Sequence, residues 1–88
     1  MGISYSSIYA NSVGTSPIKL GANPKRIGLL IVNNSSSAIL YVMSGSAGNV
    51  GEGLPVSPQR SFETVSQSDL WLISDTAATD VRVCEVIE

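Results

Sequence analysis

The sequence predicts an all-β fold, a small antiparallel β-sandwich or barrel of about seven strands. Three observations indicate it. Short apolar runs rich in branched side chains recur along the 88 residues, and clusters of Gly, Pro, Asn and Ser separate them at close intervals. No segment shows the three- and four-residue spacing of an amphipathic helix. The chain is therefore expected to form one β domain.

The strongest strand signals are two apolar runs, Ile27–Val32 and Ala38–Met43, separated by the Asn/Ser cluster at residues 33–37. Short Asn and Ser side chains bond to local backbone and favour turns, so the two runs predict a β-hairpin. Residues 69–74 (DLWLIS) predict a third strand of the same kind. Because both faces of these strands are apolar, they are expected to be central, within two layers or between one layer and a partner surface.

The N-terminal segment, residues 1–16, alternates small polar residues with apolar ones and predicts an extended arm. Residues 17–88 are expected to form the single β domain. We expect the arm to lie across a neighbouring subunit as an added strand, anchored by Ile3, Tyr5, Ile8 and Tyr9. The alternative left open is that the segment is the first strand of its own domain.

The longest loop region, residues 44–60, is rich in glycine, serine and proline. Its glycines do not predict a phosphate cradle, because no Gly-Lys-Ser/Thr sequence follows them. A loop this long in so small a domain favours contact with a partner. The predicted contact residues are Asn49, Val50, Glu52 and Leu54.

The composition favours assembly and argues against binding nucleic acid or membranes. Charged residues are 14% of the chain, below the roughly 25% typical of soluble domains. A surface with so little charge suits packing against other chains. The five basic residues are scattered and form no stripe for phosphates, and the Lys25-Arg26 pair is expected to be solvated. No run of about 20 apolar residues is present, and residues 1–10 lack the basic start and the apolar core expected of a secretion signal.

The residue types of common active sites are scarce, so we expect no enzyme, cofactor or metal site. The chain has no histidine, which removes the commonest general base and the usual zinc ligands. The carboxylate pairs Asp75 with Asp80 and Glu52 with Glu63 lie in turn-rich segments, where acidic residues normally face solvent. Cys84 is the only cysteine; it forms no intrachain disulfide and is expected to be a buried apolar side chain.

Short motifs follow one another in a characteristic order between residues 17 and 88. They are Asn23-Pro24-Lys25-Arg26, Val32-Asn33-Asn34-Ser35, Ile39-Leu40-Tyr41-Val42 with Gly45, Gly53-Leu54-Pro55-Val56 with Pro58, Phe62-Glu63, Leu70-Trp71-Leu72-Ile73-Ser74 and Val81-Arg82-Val83-Cys84-Glu85. This series resembles small all-β virion proteins of tailed bacteriophages, including head decoration (cement) proteins and minor head components. The chain departs from them at residues 57–60, where such sequences often have a Pro-Gly turn, and residues 1–16 lie outside the resemblance.

The resemblance implies a non-enzymatic structural protein that binds the outside of a phage capsid and stabilises contacts between major capsid proteins. It implies the major capsid protein as partner, a homo-oligomer in the form of a trimer, and a location on the virion after assembly in the host cytoplasm. The alternatives are a tail or neck component and a carbohydrate- or receptor-binding module at a fibre tip. The last needs exposed aromatic side chains, and its only candidates, Trp71 and Tyr41, are expected to be buried.

Overall fold

The computed structural model describes residues 5–88, which form two antiparallel four-stranded sheets without a helix. The eight strands of this range are β1 (Tyr5–Val13), β2 (Ile18–Leu20), β3 (Arg26–Asn33), β4 (Leu40–Ser44), β5 (Leu54–Val56), β6 (Ser61–Thr64), β7 (Leu70–Ser74) and β8 (Thr79–Ile87). Between residues 5 and 88 there is accordingly no helix with the length and apolar character needed to cross a membrane.

Sheet 1 has the strand order β1-β8-β3-β6, and sheet 2 has the order β2-β7-β4-β5. All neighbouring strands are antiparallel. The three strands predicted to be central, β3, β4 and β7, each have a neighbour on both sides, which confirms that prediction. Strands with apolar residues on both faces occupy the middle of a sheet because only there can both faces and both edges be covered.

The core lies between the two sheets. Strand alternation directs every second side chain inward, and the cluster of buried apolar side chains draws on both sheets. Its members from sheet 1 are Val13, Leu29, Ile31, Val81 and Val83, and those from sheet 2 are Leu20, Leu40, Val42, Val56, Leu70 and Leu72. The all-β class predicted from the sequence is therefore confirmed, with one core shared by two sheets.

The predicted hairpin between β3 and β4 is wrong. β3 pairs with β8 and β6 in sheet 1, whereas β4 pairs with β7 and β5 in sheet 2. The reason is Asn33, whose side chain is fully buried and donates from Nδ2 to the backbone oxygens of Ala38 (2.8 Å) and Val56 (2.9 Å). These bonds direct the Asn/Ser cluster across the core from one sheet to the other instead of back along the same sheet.

The segment predicted as an N-terminal arm is, from residue 5 onward, an edge strand of the domain. β1 pairs with β8 along its full length, from Tyr5 opposite Ile87 to Val13 opposite Thr79. Val13 is fully buried in the core, which fixes the C-terminal end of this strand. This arrangement corresponds to the alternative that the sequence left open, a first strand of the same domain.

Arg26 is buried, so the expectation that it is solvated is wrong; its neighbour Lys25 is exposed. Arg26 Nε donates to Glu85 Oε2 at 2.8 Å, an ion pair at the end of the core. The remaining guanidinium nitrogens donate to backbone oxygens of Gly21 (2.7 Å), Ser66 (3.1 Å) and Ser68 (3.3 Å). One side chain thus holds together β8 and two loops that are distant in sequence.

Alanine substitution of Trp71 and of its neighbour Leu72 is expected to distinguish the two faces of β7. Leu72 is fully buried, so Leu72→Ala should lower the free energy of unfolding by about 2 to 5 kcal/mol. Trp71 is half-buried, and its Nε1 is buried without a hydrogen-bond partner among residues 5–88, so Trp71→Ala should cost only about 1 to 2 kcal/mol. Urea unfolding of both variants measures the difference; an equal loss would place Trp71 in the core.

Candidate interaction surface

The outer face of sheet 1 carries apolar side chains that no other element of residues 5–88 covers. Alternation in β8 directs Val81 and Val83 into the core, so Cys84 and Val86 face outward. In β1, the same alternation leaves Ile8 with 75% of its surface exposed. Along a strand at the protein surface, apolar residues that face the core normally alternate with polar residues that face solvent. Apolar residues on the outward face therefore indicate a surface used for contact.

Strand register brings these outward residues into one row. Ile8 lies opposite Cys84, Cys84 lies opposite Leu30, and Leu30 lies opposite Glu63. The row is apolar across β1, β8 and β3 and ends at an acidic residue on the edge strand β6. Val65, which follows β6, adds a second highly exposed apolar side chain at 76% exposure.

An open groove of about 700 Å³ lies in this face. Its lining includes Gly28, Leu30, Thr64, Val65, Cys84 and Val86. Gly28 leaves the floor of the groove without a side chain, and a Cβ placed there would meet nothing closer than the Cβ of Val86 at 3.8 Å. Residue 28 therefore contributes no side chain to the groove, and a Cβ added there would make an ordinary van der Waals contact with Val86.

Few charged groups lie on this face, and Arg82, which lies next to Cys84 on β8, is already paired. Arg82 Nε and Nη2 donate to Asp80 Oδ1 (2.9 Å) and Oδ2 (3.0 Å). The hydrogen bond from Arg82, followed by one from Asn34, lowers the pKa of the Asp80 carboxyl below its usual value. This pair stays ionised and mutually neutralised at neutral pH, which leaves the face with little net charge.

The predicted arm anchors do not form a single surface. Ile8 faces outward, whereas Tyr9 lies on the opposite side of β1 and lines a polar cleft of about 340 Å³ with Arg26 and Glu85. Burial, reinforced by the charge of Glu85, raises the pKa of the Tyr9 phenol, so this hydroxyl stays neutral at physiological pH. The backbone of Tyr5 pairs opposite Ile87. Ile3 lies outside the described residues.

All four predicted loop contacts, Asn49, Val50, Glu52 and Leu54, are exposed. Glu52 closes the turn locally: its Oε1 accepts from the Asn49 backbone N–H at 2.6 Å, and its own N–H donates to the Asn49 carbonyl at 3.0 Å. Gly53 has φ +87°, and a Cβ there would lie 2.6 Å from the Val42 carbonyl oxygen. The glycine therefore allows the loop to lie against β4, at the side of the molecule away from β1.

Three of the four carboxylates considered from the sequence, those of Glu52, Asp75 and Asp80, accept hydrogen bonds within the domain. Asp75 Oδ1 accepts from the backbone N–H of Ile39 at 3.0 Å and from the hydroxyl of Thr76, and Asp80 is paired as described. No group of three or more His, Cys, Asp or Glu side chains in residues 5–88 is placed to hold a metal ion. Cys84 is half-exposed on the outer face of sheet 1, so its predicted burial is only partial.

The outer face of sheet 2 carries the two remaining candidate aromatics. Trp71 and Tyr41 are half-buried, and the register places them diagonally across β7 and β4. Lys19 Nζ lies 5.9 Å from the centroid of the Trp71 ring. The expected burial of both aromatics is therefore only partial, because β7 and β4 direct them to the outer face of sheet 2.

Comparison of the chain with known families, with curated proteins and with solved structures gives no match.

Proposed function

We propose that this protein is a non-enzymatic structural subunit of a bacteriophage virion, a β-sandwich that binds the outside of the capsid and stabilises contacts between major capsid proteins. The observation that carries the proposal is the apolar outer face of sheet 1, which no element of residues 5–88 covers. The sequence resemblance to head decoration proteins supplies the class of partner.

The chemistry of this face supports a role in protein contact. Its row Ile8, Cys84 and Leu30 contains no charge, the neighbouring row holds Arg82, which is paired with Asp80, and Glu63 lies on the edge strand β6. An apolar patch beside polar and charged side chains is what a protein–protein interface usually presents. The low charge of the whole chain, 14% of residues, agrees with a subunit that spends its functional life packed against others.

Filling the groove should block capsid loading without unfolding the domain. Gly28→Val is expected to fold, and to be up to about 1 kcal/mol more stable, because the Cβ has room and valine favours strands. It should nevertheless lose most of its co-sedimentation with undecorated capsids, which for the wild-type protein should saturate at a fixed ratio to capsid subunits. The matched control is Gly21→Val, an exposed glycine with no atom near the added Cβ.

Full loading of Gly28→Val would contradict docking through this groove. If Leu54→Lys instead abolished loading, the contact would lie in the loop predicted from the sequence. If the wild-type protein ignored capsids but bound purified tails, the tail or neck alternative would replace the decoration role.

A carbohydrate-binding role is the second candidate, favoured by the half-buried pair Trp71 and Tyr41 on the outer face of sheet 2. Aromatic side chains on an open face can stack on sugar rings. Binding of the isolated protein to immobilised host glycans, abolished by Trp71→Ala and retained by Gly28→Val, would support this function. Absence of binding to every glycan tested would remove it.

A further inference from the structure

The four edge strands of the two sheets are protected to very different degrees. β2, β5 and β6 have only three, three and four residues. Each also contains a residue that discourages pairing: Lys19 in β2, Pro55 in β5 and Glu63 in β6. Short length, charge and proline are the devices by which monomeric proteins keep free edges from pairing with other chains.

β1 has none of these devices. It is nine residues long, contains no charged residue and no proline, and pairs with β8 without a bulge. Its other edge has no partner strand within residues 5–88. One edge out of four is therefore left open to strand addition, and it is the longest.

The sequence of β1, YSSIYANSV, has a polarity pattern that is symmetric about its middle residue, Tyr9. A strand that pairs antiparallel with a copy of itself across a two-fold axis at Tyr9 places residue 8 opposite residue 10 and residue 7 opposite residue 11. Ile8 then faces Ala10, Ser7 faces Asn11, Ser6 faces Ser12 and Tyr5 faces Val13. Every pair joins apolar to apolar or polar to polar, which is the pairing that stabilises adjacent strands.

We propose that the free edge of β1 pairs antiparallel with β1 of a second copy of this chain, with Tyr9 at the two-fold axis. The absence of charge in β1 is a requirement for such a pair, because any charge close to the axis would meet its own copy. The interface is isologous and closes at two subunits. It therefore predicts a dimer, not the trimer that the resemblance implies.

The pairing would join sheet 1 of both copies into one continuous eight-stranded sheet. The apolar row that begins at Ile8 would then continue across the axis into the row of the second copy, which doubles the exposed apolar face on one side of the dimer. Self-association can be measured on the purified protein without capsids, so this inference does not depend on the proposed capsid partner.

Analytical ultracentrifugation of the full chain tests the proposal. The wild-type protein should sediment at twice the monomer mass of 9.2 kDa. Ile8→Lys alone and Ala10→Glu alone should each weaken the dimer by about tenfold or more, since each puts charges near the axis. An equal mixture of the two variants should restore a dimer, because the lysine at position 8 then faces the glutamate at position 10.

Ile27→Lys is the matched control, because Ile27 is also an exposed isoleucine but belongs to β3, which is not an edge strand. This variant should remain a dimer. Hydrogen exchange should show concentration-dependent protection of backbone amides within residues 5–13. The proposal would be overturned if the wild-type protein were a monomer at about 1 mM or a trimer. It would also be overturned if Ile8→Lys did not weaken the dimer.

Discussion

Arg26→Ala is expected to lower the free energy of unfolding by about 3 to 5 kcal/mol, the range for removal of one partner of a buried ion pair. The guanidinium is 2% exposed and its partner carboxylate, Glu85, is 19% exposed, so the loss leaves a poorly solvated negative charge. It also removes the donors to the backbone oxygens of Gly21, Ser66 and Ser68. For a domain with a typical stability of about 5 to 15 kcal/mol, this is a large fraction of the total.

Arg82→Ala is the matched control for Arg26→Ala. Arg82 also forms an ion pair with a carboxylate, but its side chain is 53% exposed and that of Asp80 is 42% exposed. A solvent-exposed pair contributes little to stability, so this variant should unfold at nearly the wild-type urea concentration. If Arg26→Ala were as stable as Arg82→Ala, the buried pair would not be what holds β8 and the two loops together.

Asn33→Asp is expected to destabilise the domain in a pH-dependent manner. The Asn33 amide is fully buried, accepts from the Ser35 backbone N–H at Oδ1 and donates from Nδ2 to the backbone oxygens of Ala38 and Val56. In an ionised carboxylate, the oxygen that replaces Nδ2 would face these two acceptors without a hydrogen to donate. We expect a loss of about 3 kcal/mol or more at pH 8. Burial raises the pKa of the introduced carboxyl above its unfolded value of about 3.9.

The sign of this pH dependence follows from the raised pKa. The neutral carboxyl is tolerated better than the ion, so the variant is nearest to wild type below the unfolded pKa and loses stability as the pH rises through the folded pKa. Urea unfolding at pH 4 and pH 8, each compared with wild type at the same pH, measures this trend. Asn33→Ala removes the same hydrogen bonds without a charge, so its loss of about 1 to 3 kcal/mol should be equal at both pH values. A loss for Asn33→Asp that does not vary with pH would show that position 33 is solvated.

The two proposals share the exposed side chain of Ile8, but their tests fail separately. Capsid docking depends on the groove at Gly28, whereas self-association depends on the edge of β1. A dimer that does not bind capsids would leave the β1 pairing intact and move the functional contact elsewhere. A monomer that loads onto capsids would do the reverse. Together they describe a two-fold subunit with a continuous apolar face toward its partner.

Local sequence pattern was enough to predict the all-β class and three of the inner strands. Periodicity is a local property, and the apolar character of both faces in Ile27–Val32, Ala38–Met43 and residues 69–74 predicted β3, β4 and β7 as central strands. The same pattern already indicated either a second layer or a partner surface. The exposure of the four loop residues 49, 50, 52 and 54 also agrees with their polar and glycine-rich surroundings.

Strand pairing and the positions of the buried polar side chains depend on long-range contacts. The choice between a hairpin and a crossing from one sheet to the other depends on contacts between Asn33 and residues five and 23 positions away. The burial of Arg26 depends on Glu85, which lies 59 positions further along the chain. Such contacts leave no periodic signal, because a polar residue at the end of a strand has the same local sequence whether it faces solvent or closes the core. The open edge of β1 could be recognised only once β8 was known to occupy its other side.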